Sequence, residues 1–199
     1  YLEGQAMFTT FNMLRANDLI WSFFVNNYLL GKEAKPFDLL HWNSDATRMP
    51  RRMHLFYLRQ MYLHNNLVKP GVVELAGVPI DLTKVTVPVY LEACREDHIA
   101  PFRSVFKARH NCSGPVRFLL AGSGHIAGVI NPPDANKYQY WLNPEEPWEM
   151  DPWLRGAAEH PGSWWPDWDA WLAPRSGGMV PARKPGGGKL PVIEDAPGS

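Results

Sequence analysis

Two polar clusters hold side chains suited to proton transfer: Arg95-Glu96-Asp97-His98 and Gly122-Ser123-Gly124-His125. Each follows a short apolar run, so each is expected at the carboxyl end of a strand, where open α/β sheets collect their functional side chains. A carboxylate bonded to one imidazole nitrogen fixes the tautomer. It also stabilises the imidazolium that forms when the other nitrogen takes a nucleophile's proton. Asp97 and His125 are separated by enough chain for one helix and one strand, which returns the backbone beside the loop it left. Gly122 and Gly124 are expected to let the chain turn tightly and bring His125 out at a loop tip. On the residues alone, a plain turn with a surface histidine remains the alternative.

The acid precedes the histidine, as in triads on α/β-hydrolase sheets, where the nucleophile lies upstream of both on a strand-to-helix turn. Neither Cys94 nor Cys112 stands in a Gly-x-Cys-x-Gly elbow, and both break that order, so Cys94 reads as a small residue at a strand end. His98, next to Asp97, reads as a loop-fixing residue. His41, His54, His64, His110 and His160 show no ligand-type pairing and read as surface or structural. A metal site would need three or four converging ligands; Asp97, His98 and His125 are the only group to consider, and none is expected. The stretch Gly162-Ser163-Trp164-Trp165-Pro166-Asp167-Trp168 has no basic residues between its aromatics, which favours core or interface packing over base or sugar stacking.

The elements that must position these residues can be read from apolar spacing and breakers. A strand is expected over 87–93, then a helix opened by Pro101 and ended by the breaker at 111–114, then a strand over Val116–Ala121. Strand, helix and strand in that order make a β-α-β unit and a parallel pair, so the fold class is α/β. Upstream, residues 2–30 have helical apolar spacing with a break or cap at Asn17-Asp18, residues 31–36 read as a loop, and 50–67 as a further helix. Short β segments punctuated by Gly71, Gly77, Pro79 and Pro88 follow. From Arg175 the composition turns to Ser, Gly, Pro and Lys, which predicts a disordered tail. The expected domains are 1–70, mostly helical; 71–173, the α/β core; and 174–199, the tail.

Bulk properties exclude several classes. The 199 residues, 45% apolar, suffice for a core, and no apolar run is long enough for a membrane span. Lys plus Arg equal Asp plus Glu at 20 each, so no overall positive field draws nucleic acid or anionic lipid. Two cysteines make no disulfide framework, which fits a reducing, cytoplasmic setting. Tyr1-Leu2-Glu3-Gly4 carries no initiator Met and no signal-peptide pattern, and the chain reads as a fragment.

Three long motifs carry a resemblance. Arg95-Glu96-Asp97-His98-Ile99 with Pro101, Gly122-Ser123-Gly124-His125-Ile126-Ala127-Gly128-Val129-Ile130-Asn131-Pro132-Pro133, and the Trp-rich stretch 162–168 resemble class I polyhydroxyalkanoate synthases in the same order. Asn12-Met13-Leu14-Arg15-Ala16-Asn17-Asp18-Leu19, Pro36-Phe37-Asp38-Leu39-Leu40 and Trp42-Asn43 resemble that family's cap; the likeness covers about residues 1–173.

The resemblance implies the C-terminal part of an α/β-hydrolase fold with a helical cap. It implies an acyltransferase that polymerises (R)-3-hydroxyacyl-coenzyme A into polyester, releasing coenzyme A and holding the growing chain as a thioester. His125 then matches the histidine that activates a cysteine, and Asp97 matches the acid, which helps deprotonate the 3-hydroxyl directly or through the histidine. The cysteine is expected upstream of Tyr1, so the chain by itself is expected to be inactive. A homodimer through the cap and attachment to polymer granules in the cytoplasm are implied too, with no cofactor, metal, nucleic acid or membrane span. The competing readings are an esterase or depolymerase with a serine nucleophile, and a noncatalytic granule-binding piece.

Overall fold

A computed structural model describes residues 1–14, 16–33, 47–184, 186–190 and 192–194. Arg15, the cap motifs at 36–40 and 42–43, His41 and part of the expected tail lie outside the described residues. The chain divides into two compact units, Tyr1–Val85 and Thr86–Ser199.

The first unit is mainly helical. Helix α1 spans Gly4–Leu14, and π-helical turns follow at Asn17–Trp21 and Phe24–Leu29. Leu2 and Met49 exchange backbone hydrogen bonds of 2.9 and 3.0 Å. Helix α2, Arg51–Tyr57, starts directly after Pro50, whose extended ψ of 137° and missing N–H suit the residue before a helix. It continues as π-helical turns through Leu58–Leu63. The expected β segments prove to be a minimal hairpin, β1 (Glu74–Leu75) with antiparallel β2 (Val78–Pro79). Its two turn residues, Ala76 and Gly77, both have positive φ, at 49° and 79°, the backbone a tight two-residue hairpin needs.

The second unit is a four-stranded mixed sheet in the order β3-β4-β5-β6, with short helices. Strand β3 (Val89–Cys94) leads through α3 (Phe102–Phe106) and a 3-10 turn (Lys107–His110) to β4 (Val116–Ala121). β3 and β4 are parallel, with Val89 opposite Val116 and Cys94 opposite Ala121. The β-α-β unit is therefore present, and its first strand begins just after Pro88, which has no N–H to give a ladder.

Beyond β4 the sheet departs from the parallel expectation. β5 (Gln139–Leu142) runs antiparallel to β4, and β6 (Ala158–Pro161) antiparallel to β5, with α4 (Met150–Gly156) between them. Each of these strands has four residues, too few for a readable alternation. Helix α5 spans Trp165–Leu172, and a 3-10 turn follows at Ala173–Arg175.

β4 is the centre of the core: Phe118, Leu119, Leu120 and Ala121 are all buried, as expected for a strand covered on both faces. On one face Phe118 and Leu120 pack with Ala93, Phe106 and Trp153. Phe118 meets Phe106 and Trp153 edge-on, each at 4.9 Å between ring centres. On the other face Leu119 and Ala121 join Cys94, with Tyr90, Tyr140 and Trp164 against them. This second face carries the candidate site.

Candidate active site

Two loops leave the parallel strands side by side. Ladder-like bonds continue past the strand ends, from Arg95 N–H to the Ala121 carbonyl (2.8 Å) and from Glu96 N–H to the Ser123 carbonyl (3.0 Å). The loop carrying Asp97 is thereby fixed in register with the loop carrying His125.

Asp97 sits in a turn it builds for itself. Its Oδ1 accepts from the N–H groups of Ile99 (2.8 Å) and Ala100 (2.9 Å), the local bond that makes aspartate a turn residue. Its Oδ2 lies 2.7 Å from His125 Nδ1, across a sequence separation of 28 residues. The Asp97 side chain is 7% exposed and the His125 side chain 44%. Burial pushes the Asp97 carboxyl up, but the bonds from Ala100, His125 and Ile99 outweigh it and hold the group below the ordinary carboxylate range. An ionised carboxylate can only accept, so Nδ1 of His125 carries a proton, and the tautomer this bond selects has its lone pair on Nε2. That is the tautomer a general base needs.

The turn that delivers His125 differs from the glycine-based expectation. The left-handed residue is Ser123, at φ 72°, not Gly122 or Gly124. Gly122 is required for another reason: a Cβ there would come within 2.8 Å of the Gln139 carbonyl on β5. At Gly124 the nearest atom to such a Cβ is 4.0 Å away, so the site has room for a side chain. A helical turn follows, closed by Gly128 N–H to Gly124 O at 2.9 Å and Ile130 N–H to Ile126 O at 2.9 Å.

Cys94, the last residue of β3, lies buried beneath this turn and donates to Glu92 Oε1 at 3.1 Å. Burial, with the Glu92 carboxylate beside it, pushes the thiol far above its usual range, so little thiolate exists at neutral pH. Glu92 is itself raised, first by burial and further by the Asp97 charge, against the opposing bond from Cys94. Sequence reasoning missed Glu92, which is embedded in an apolar strand; its only signal was a charged residue two positions before the strand-end cysteine.

Two further histidines among the described residues serve packing. His110 bonds the Trp148 carbonyl at 3.0 Å and stacks on that indole, and His160 stacks on Tyr140. Among the described residues no group of three His, Cys, Asp or Glu side chains is placed to hold a metal ion, and no helix is long and apolar enough to cross a membrane.

The chain is similar throughout its length to proteins of one activity. It is 53% identical over 199 residues to the poly(3-hydroxyalkanoate) polymerase subunit PhaC of Rhizobium etli, covering all of this chain and 31% of that protein. The chain is a relative of the poly(3-hydroxyalkanoate) polymerases. The polymerase of Methylorubrum extorquens is 53% identical over 200 residues, with 33% of it covered, and the PhaC subunit of Cupriavidus necator 47% over 199 residues, with 34% covered. The chain thus spans about a third of the length of these polymerases. No family model matches it.

Proposed function

We propose that this chain is the acid- and histidine-bearing part of a class I polyhydroxyalkanoate synthase, built on an α/β-hydrolase sheet. The observation that carries the reading is the 2.7 Å bond between Asp97 and His125 at the ends of two parallel neighbouring strands. With Nδ1 held by Asp97, Nε2 of His125 takes the proton of a cysteine thiol supplied outside these 199 residues. The thiolate attacks the thioester carbonyl of an (R)-3-hydroxyacyl-coenzyme A, coenzyme A leaves, and the acyl group is held as a new thioester. In elongation, Asp97 helps deprotonate the 3-hydroxyl of the next unit, directly or through His125, and that oxygen attacks the held acyl group, expelling the cysteine sulfur as thiolate.

In this reading residues 1–70 form part of a helical cap and 71–173 the C-terminal part of the catalytic core, with 174–199 a tail. The working form is a homodimer through the cap, attached to polymer granules in the cytoplasm. The chain without its cysteine has no synthase activity.

The test is coenzyme A release from 3-hydroxybutyryl-coenzyme A by the complete polypeptide, beside His125→Ala. Loss of release by a factor of about 100 or more supports the reading, since positioned acid-base groups are worth that much. Full activity in the variant refutes it. A Gly-x-Ser-x-Gly elbow in place of a cysteine elbow would turn the assignment toward an esterase or depolymerase.

A further inference from the structure

The tryptophan-rich stretch packs against the sheet, but its two adjacent indoles do something more specific. Trp164 Nε1 donates to the Gly128 carbonyl at 3.0 Å, and Trp165 Nε1 to the Val129 carbonyl at 2.9 Å. These are consecutive carbonyls at the end of the helical turn that follows His125; that of Val129 also accepts from Asn131 N–H at 3.2 Å. Two neighbouring side chains from 36 residues downstream thus close two neighbouring acceptors of the histidine loop.

The clamp is itself anchored. Ser163 Oγ accepts from Trp165 N–H at 3.1 Å. In the first turn of α5, Asp167 accepts from Tyr90 Oη at 2.7 Å and from Arg117 Nε at 3.1 Å, tying the helix to β3 and β4. Trp164 stacks over Tyr90 at 6.2 Å. On its other side the loop rests on Cys94 through Gly128, which leaves no space for a side chain. Among the described residues the His125 side chain hydrogen-bonds Asp97 alone, and 44% of it is exposed. The place of its ring is therefore set by the backbone turn beneath it, and that turn is held between the sheet and the two indoles.

We infer that Trp164 and Trp165 are positioning residues for His125, holding its loop through their indole N–H groups so that the imidazole stays in line with Asp97. The inference rests on His125 being the base of the proposed reaction. A base displaced by a fraction of an ångström loses rate rather than substrate affinity, because proton transfer demands the aligned geometry and binding does not.

The experiment uses the complete polypeptide with Trp164→Phe, Trp165→Phe and the double variant, which keep an aromatic ring and delete the donors. Trp148→Phe, whose ring stacks on His110 away from this loop, controls for general loss of an indole. The expected result is a fall in kcat for coenzyme A release of about tenfold or more in the double variant with KM nearly unchanged. The low-field NMR resonance of the proton between His125 Nδ1 and Asp97 should shift or broaden, while Trp148→Phe keeps both rate and resonance. If the double variant does not fold, the single variants carry the same two readouts. Unchanged kcat overturns the inference, as does a fall in kcat with the proton resonance undisturbed. His125→Ala separates the two levels: if it retains activity the base assignment fails, and if it is inactive while the Trp variants are not, only the clamp fails.

Discussion

Gly128 lies so close to Cys94 that a Cβ on the glycine would stand 2.4 Å from the cysteine sulfur, 2.7 Å from the Gly122 carbonyl and 3.0 Å from the Gly124 carbonyl. The close approach lets the histidine turn rest directly on β3. Two of those three neighbours are backbone and cannot rotate away. Gly128→Ala should therefore cost about 1–3 kcal/mol and displace His125, lowering coenzyme A release well beyond the loss of stability. Adding Cys94→Ala relieves only the sulfur contact, so the double variant should recover part of the melting temperature and little of the activity. Full recovery of both would show that the backbone contacts give way.

Asp97→Asn separates the turn from the chemistry. The amide oxygen can still accept from Ile99 and Ala100, so the loop should keep its shape. Its NH2 then faces His125 and favours the ring with its lone pair on Nδ1 and its proton on Nε2, the wrong tautomer for a base. Turnover should fall by about 100-fold or more with KM little changed.

The same variant reports on pH. The folded Asp97 carboxyl lies below its ordinary value of 3.8, with burial overcome by its hydrogen bonds. Its ionised form therefore stabilises the fold fully above that ordinary value, and the contribution is lost as the pH falls through the lower folded value. Melting temperatures of wild type and Asp97→Asn, measured from neutral pH downward, should converge at the acid end. A gap that stays constant through that range would contradict the carboxylate's role.

Cys94 should be inert. Its buried thiol donates to Glu92 and is raised by burial and by that carboxylate, so alkylation of the folded protein near pH 8 should spare it and proceed only on unfolding. Cys94→Ser, which can keep the bond to Glu92, should retain turnover. Rapid labelling of Cys94 in the native state, read by mass spectrometry of the digested protein, would count against this environment.

Asp167 joins two strands to α5, so its loss should be felt as stability first. Asp167→Ala leaves the half-buried Tyr90 hydroxyl and the Arg117 guanidinium without their shared acceptor and should cost about 1–3 kcal/mol. Tyr90→Phe removes one donor and leaves the ion pair with Arg117, and should cost about 1 kcal/mol. Denaturation midpoints of the two variants give the ranking, and the reverse order would place the main anchor on the tyrosine.

What the sequence by itself determined was local and consecutive. The run Val116–Ala121 between breakers is strand β4, Pro101 stands directly before α3, and the two strands flanking that helix pair in parallel. The polar clusters following those strands could then be expected side by side, which is why Asp97 and His125 were legible as a pair. Tertiary structure alone decided the rest. Strands β5 and β6 take their antiparallel places by pairing, not by any pattern within four residues. The left-handed backbone falls on Ser123, and Gly122 is needed because β5 passes against it, a neighbour that composition does not name. Likewise, an indole N–H has no preferred acceptor until the chain has folded. That Trp164 and Trp165 reach the carbonyls of Gly128 and Val129 depends on where α5 docks on the sheet, and Tyr90, Arg117 and Asp167 fix that docking from three separate segments. Periodicity encodes conformation along the chain, whereas these contacts depend on distances across it.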